Sequence, residues 1–358
     1  MWQSCVSRSI VYSCCTLQPG YAAIFRSLVT LSVSLTLLTV VLSAYIRLAE
    51  VGIGCDDWPA CYAQLDPAAE KKGVTVLTGS GRDMAHRGAR TAHRYIASVL
   101  GVFIVIIFAV ALRRGRSGAT SWLVPLAIFA ITVFLSLLGY YTPTRSEPLI
   151  TMGNLLGGMA LLGLLWWLLQ RDTGGASAPA SLVRYRAAAL VALGLVLVQI
   201  VLGGWSSTNY ASGSCPGLLH CDSGMLAADG AAEVFNPLRS VELDAQGRVI
   251  RQPALGLLSM AHRLFALLTA GYLAWLVRRL KSLAGPPGAG LPGAGLRGTL
   301  SALSLFSMGQ IVVGVSMIWL HLPLFMVTLH NALAAGLLLG SVNLLHRLTP
   351  VTACRSPG

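Results

Sequence analysis

Eight stretches of mainly apolar residues recur along the chain, near 25–46, 93–112, 122–142, 149–170, 185–205, 254–277, 299–320 and 323–346. A helix needs about 20 such residues to cross the hydrocarbon layer of a bilayer. The pattern therefore predicts eight transmembrane helices and an all-α integral membrane protein. Turn-forming and basic residues punctuate the gaps. Pro148, Pro253 and Pro323 stand just before or at helix starts, where a missing N–H breaks no hydrogen bond. Arg113-Arg114-Gly115-Arg116 and Arg278-Arg279-Leu280-Lys281 are expected to end the second and sixth helices.

Composition narrows the class. Hydrophobic residues make up 55% of the 358 and charged residues only 11%, against about 25% charged in soluble domains; mean hydropathy is +0.69. An ordinary soluble enzyme, a disordered chain and a small disulfide scaffold are excluded. The net charge of +13 would suggest nucleic acid in a soluble protein, but here its placement decides. The N-terminus and the segments near 113–121, 171–186, 278–298 and 347–358 hold 14 Lys/Arg and one acid, Asp172. The opposite side holds the other 12 Lys/Arg and 12 acids. Because cytoplasmic segments collect Lys and Arg, both termini are expected in the cytoplasm and the protein in the inner (cytoplasmic) membrane, with no nucleic-acid partner. Residues 1–24 contain Gln, Arg and Pro without a cleavable apolar core, so no signal peptide is expected.

The chain reads as duplicated. A helix ending Ala44-Tyr45-Ile46-Arg47 leads to Cys55 and Cys61, then to His93-Arg94; a helix ending Gly203-Gly204-Trp205 leads to Cys215 and Cys221, then to His262-Arg263. Four spans in each half is an even number, so the halves run in the same direction, as parallel repeats about an axis along the membrane normal. The predicted fold is two four-helix bundles. Its parts are a cytoplasmic segment 1–24, an N-terminal half 25–170, a linker 171–182 rich in Gly, Ala, Ser and Pro, a C-terminal half 183–347 and a tail 348–358.

The four paired cysteines fall in loops assigned to the outside, whereas Cys5, Cys14, Cys15 and Cys354 fall on the reducing side. An oxidising compartment and a repeated spacing favour a disulfide in each loop. Unpaired thiols that happen to repeat remain the alternative, and a zinc site would need more than the nearby His220.

Three histidines carry the chemistry. His93, His262 and His330 lie in the first turns of the second, sixth and eighth spans, all of which run inward, so their imidazoles share one depth near the outer leaflet. An ionisable residue inside a span is costly and points to function, although an interhelical hydrogen bond is the plainer use of any one of them. Two at matched depth in one half, His262 and His330, suit bis-imidazole ligation of haem between facing helices. The first half offers His93 and, in the fourth span, Asn154, a poor iron ligand. One half can thus hold a six-coordinate haem and the other a transient substrate. His86 is read as a loop or helix-cap residue, and His321 and His346 as interfacial.

These strings resemble the heme A synthase family: Gly54-Cys55-Asp56-Asp57-Trp58-Pro59-Ala60-Cys61, His93-Arg94-Tyr95-Ile96-Ala97-Ser98, Leu155-Leu156-Gly157-Gly158-Met159, Gly203-Gly204-Trp205 through Tyr210, Met260-Ala261-His262-Arg263 and Leu329-His330-Asn331-Ala332. The resemblance spans about 25–346. It implies an eight-helix oxidoreductase that converts the C8 methyl of heme O to the formyl of heme A for terminal oxidases. It further implies that His262 and His330 hold a b-type haem through its iron, that the first half faces substrate, and that Cys55 and Cys61 form a disulfide. Two positions depart from the family pattern: Arg90 stands where Glu is common and Asn154 where His is common.

The expected chemistry is stepwise: two hydroxylations of the methyl give a geminal diol, which loses water to the aldehyde. His93 would hold the substrate iron, with Arg90 and Asn154 beside it. Arg94 and Arg263 would pair with haem propionates or reach for lipid phosphate at the interface. Heme O synthase and a membrane electron acceptor are the expected partners, with a homo-oligomer compatible. Arg90 and Asn154 motivate an alternative, a non-catalytic haem b-binding or electron-transfer member of the same family. A transporter would predict broken helices and midplane charges, which the spans do not show.

Overall fold

The computed structural model describes residues 19–50, 80–114, 122–141, 148–172, 180–221, 226, 228–242, 254–283, 294–320 and 322–349. Among them are eight long helices and no strands: α1 (Pro19–Glu50), α2 (Ser80–Arg114), α3 (Leu123–Tyr141), α4 (Pro148–Asp172), α5 (Arg186–Thr208), α6 (Leu255–Leu283), α7 (Ala294–Trp319) and α8 (Leu324–Arg347). Seven are long and apolar enough to cross a membrane. The exception is α3, whose apolar stretch Leu123–Gly139 is shorter, so length and composition give fewer than the eight full spans expected.

The helix ends follow local chemistry. Pro148 opens α4 and Pro323 is the N-cap of α8, while Pro253 lies outside the described residues. The basic cluster at 278–281 reaches into the last turn of α6, which holds Lys281 and closes at Leu283; long cationic side chains there can reach polar surroundings. His86 is a correction of a different kind. It lies within α2, which begins at Ser80, because the helix extends beyond its apolar part as a polar segment that hydropathy does not register.

Polar residues inside the spans are largely satisfied by their own helices. In α1, Thr30, Ser32, Ser34, Thr36 and Thr39 each donate a hydroxyl to the carbonyl four residues back. Without water in the bilayer core, that local bond is what makes a hydroxyl tolerable there.

The helices pack in two rings. In the first, α1 contacts α2, α2 contacts α3, α3 contacts α4, and α4 returns to α1; in the second, α5, α6, α7 and α8 close in the same order. Contacts of α1 with α8 and of α4 with α5 and α8 join them. Small residues allow the close approaches: a Cβ added at Gly157 of α4 would lie 2.6 Å from Leu135 of α3. The main apolar core, including Val29, Leu162, Leu165, Ala192, Leu276, Leu300 and Leu338, occupies one end of both rings. At the other end, smaller clusters around Tyr210 and around Trp205 surround a cavity. Outside the spans, Arg239 is buried, and burial lowers its pKa against the opposing pull of Glu233 and Glu242.

Candidate functional site

The cavity has a volume of about 710 Å³ and lies within the second ring, in the range of ordinary small-molecule sites. Its wall is mostly apolar, with a few converging polar groups: Gln199 of α5, His262 and Arg263 of α6, Gln310 of α7, His330 of α8, and Arg47 from the end of α1. α6 and α8 are not neighbours in the ring, so His262 and His330 reach toward each other across its interior. Their ring centroids are 6.5 Å apart and the ring planes are inclined by 75°.

That separation decides what the pair can do. It is too long for a direct hydrogen bond between ring nitrogens in any orientation, since a nitrogen lies only about 1 Å from its ring centre. A metal–imidazole bond of about 2 Å, with about 1 Å more from each nitrogen to its ring centre, would place two axial imidazole centroids roughly 6 Å apart. The environment fits the same use. A Cβ at Gly203 of α5 would lie 2.7 Å from Cε1 of His262, and one at Gly314 of α7 would lie 3.2 Å from Cε1 of His330. The His262 ring therefore occupies space that a side chain at Gly203 would take, and the His330 ring packs closely against Gly314. Nδ1 of His330 and Oε1 of both Gln199 and Gln310 are buried without a hydrogen-bond partner, an arrangement costly enough to call for a function. Among the described residues no three His, Cys, Asp or Glu converge on a metal position, so a metal here would rest on two imidazoles and a group that supplies its remaining ligands.

One lip of the cavity is a covalently closed loop. Cys215 and Cys221 form a disulfide with Cα atoms 4.0 Å apart. Arg263, next to His262, donates Nη1 to the carbonyls of Gly217 and Leu218 and Nη2 to that of Cys215, the last two at 3.0 and 3.1 Å. Through these bonds the guanidinium ties the loop to α6. From the first ring, Arg47 donates Nη1 to Oγ of Ser207 at 2.7 Å and so lines the second ring's cavity.

His93 and Arg90 of α2 and Asn154 of α4 are half-buried, and Arg94 is exposed. α2 and α4 stand across their ring from each other, as α6 and α8 do in theirs. Cys55 and Cys61 lie outside the described residues.

Two residue pairs were missed by sequence reasoning, Gln199 with Gly203 and Gln310 with Gly314. A signal for them exists: Gln199-Ile200-Val201-Leu202-Gly203 and Gln310-Ile311-Val312-Val313-Gly314 share Gln-Ile-Val-x-Gly, a repeat within one half rather than between halves.

Residues 26–342 match the COX15-CtaA family, described as cytochrome oxidase assembly protein. The chain belongs to this family. It is also 30% identical over 328 residues to the heme A synthase of Shewanella oneidensis, covering 88% of this chain and 94% of that protein. The resemblance drawn from the Cys loops and His-Arg helices is thus upheld over most of the sequence, and membership of the COX15-CtaA family agrees with a multi-pass membrane protein.

Proposed function

We propose that the chain is a heme A synthase that oxidises the C8 methyl of heme O to a formyl group, with haem b held by His262 and His330 in the second ring. The observation that carries the reading is two imidazoles 6.5 Å apart across a cavity of about 710 Å³, in a chain similar over most of its length to a heme A synthase. Held there by His262 and His330, the haem would supply an iron centre capable of one-electron oxidation and reduction.

The chain's own residues do the rest. Gly203 and Gly314 leave room for the two rings, and Arg47 brings positive charge from the first ring to a cavity that would receive an anionic porphyrin edge. Arg263 and the Cys215–Cys221 loop close one side against water. In the first half His93 would hold the substrate iron from one face, with Asn154 across the ring and Arg90 one turn before His93. We assign both termini to the cytoplasm, the two rings to a parallel repeat of four spans each, and the membrane to the inner one.

A second reading, a haem b-binding electron-transfer protein without synthase activity, draws on Arg90 and Asn154 in the substrate half. Pigment extraction separates the two. Cells expressing this chain with a heme O synthase are expected to yield heme A; heme O alone, beside bound haem b, would favour the second reading. His262→Ala and His330→Ala are each expected to abolish b-type absorbance of the purified protein. Full absorbance in both variants would overturn the haem assignment.

A further inference from the structure

We infer that Gln199 and Gln310 are the outer partners of the two axial imidazoles, each amide fixing its facing histidine through Nδ1. The inference rests on the haem reading above and extends it to the groups that set ring orientation and electron donation.

Three observations point the same way. On α5 Gln199 stands one turn before Gly203, on the same helix face, and its Nε2 lies 3.0 Å from Nδ1 of His262, 3.1 Å from that residue's carbonyl oxygen and 3.5 Å from its Nε2, so Nδ1 is the nearer ring nitrogen. On α7 Gln310 stands one turn before Gly314 in the same Gln-Ile-Val-x-Gly string, and Gly314 faces Cε1 of His330 as Gly203 faces Cε1 of His262. Finally, the atoms left without partners are the ones this pairing would use: Oε1 of Gln199, Oε1 of Gln310 and Nδ1 of His330.

The chemistry gives these atoms their roles. An imidazole that binds a metal through Nε2 carries its proton on Nδ1, and a group accepting that proton raises the ring's basicity and fixes its orientation. A carboxamide can serve through either end. Gln199 donates to Nδ1 and to the His262 carbonyl through Nε2 as it stands; with the ring proton on Nδ1 the amide turns over and swings off that carbonyl, giving up the bond there so that Oε1 accepts from the ring. For His330 the corresponding amide is that of Gln310, and both its Oε1 and the ring's Nδ1 are unpartnered as the structure stands. Because the acceptors are neutral amides and not carboxylates, the rings stay imidazoles with modest added donor strength.

The test uses the full chain purified with its haem. Q199M and Q310M keep side-chain length and remove the acceptor, so each is expected to retain low-spin haem with a raised reduction potential and altered ferric low-spin EPR g-values. The double variant is expected to show the larger rise. Should Q199M lose haem, Q199E, which keeps an acceptor oxygen at the same reach, is expected to retain it. Unmoved potential and g-values in both Met variants overturn the inference, as does loss of haem from Q199M and Q199E alike in protein of unchanged helix content. Wild-type chain without low-spin haem overturns the functional reading itself, so the two failures are distinct.

Discussion

Adjacent glycines on α5 show how much a single position can matter. A Cβ at Gly203 would meet the His262 ring at 2.7 Å, whereas one at Gly204 would meet Sδ of Met152 at the same distance. Methionine is flexible and gives way, while an imidazole positioned for a ligand does not. Gly203→Ala is therefore expected to cost about 1–3 kcal/mol and most of the bound haem. Gly204→Ala should leave haem content near wild type; thermal unfolding followed at the haem band measures both. Equal haem loss from the two variants would remove the special role given to Gly203. The histidine pair itself was legible in the sequence, since an ionisable residue inside an apolar run stands out and two at one depth imply a meeting point. Their glutamine and glycine neighbours show only as the string shared by 199–203 and 310–314, whose use the sequence does not reveal. Glycine is common in membrane helices, and one amide in a span has no partner until the fold supplies it.

At the scale of elements, the loop closed by Cys215–Cys221 depends on α6 as much as on its disulfide. A bridge across so short a loop restricts the unfolded chain by about 2 kcal/mol. Arg263 adds charge-assisted bonds to three of the loop's carbonyls, and losing them is expected to remove about 2 kcal/mol, roughly a thirtyfold rise in local opening. Hydrogen exchange over residues 211–221 should accelerate accordingly in Arg263→Ala and in Cys215→Ser/Cys221→Ser, with the rest of α6 still protected. Exchange unchanged in Arg263→Ala would mean that the loop holds without it. Hydropathy located the apolar cores of the helices well because bilayer thickness fixes their length. It missed the polar start of α2, where Ser80–Arg90 is helical without being apolar, and so it separated His86 from the helix that carries Arg90 and His93.

For the whole molecule, the crossing of α3 decides how the two halves relate. Its apolar stretch Leu123–Gly139 has 17 residues, about 26 Å at 1.5 Å per residue, against a hydrocarbon layer of about 30 Å. Bilayers thin around short spans at modest cost, and the flanking charges favour a crossing: Arg113, Arg114 and Arg116 precede α3, and the segment after it carries Arg145 with Glu147. If α3 crosses, each half has four spans, the halves run parallel, and the matching neighbour order of the two rings follows from duplication. A peripheral α3 would leave the first half with three spans, and the halves would then be inverted relative to one another. Reporter fusions separate these cases. Green fluorescent protein fused after residues 118, 175, 290 and 358 is expected to fluoresce, and alkaline phosphatase fused after 146 and 240 to be active. Fusions at 118 and 146 reporting the same side would make α3 peripheral and overturn the parallel repeat, while His262 and His330 would still face each other across the second ring.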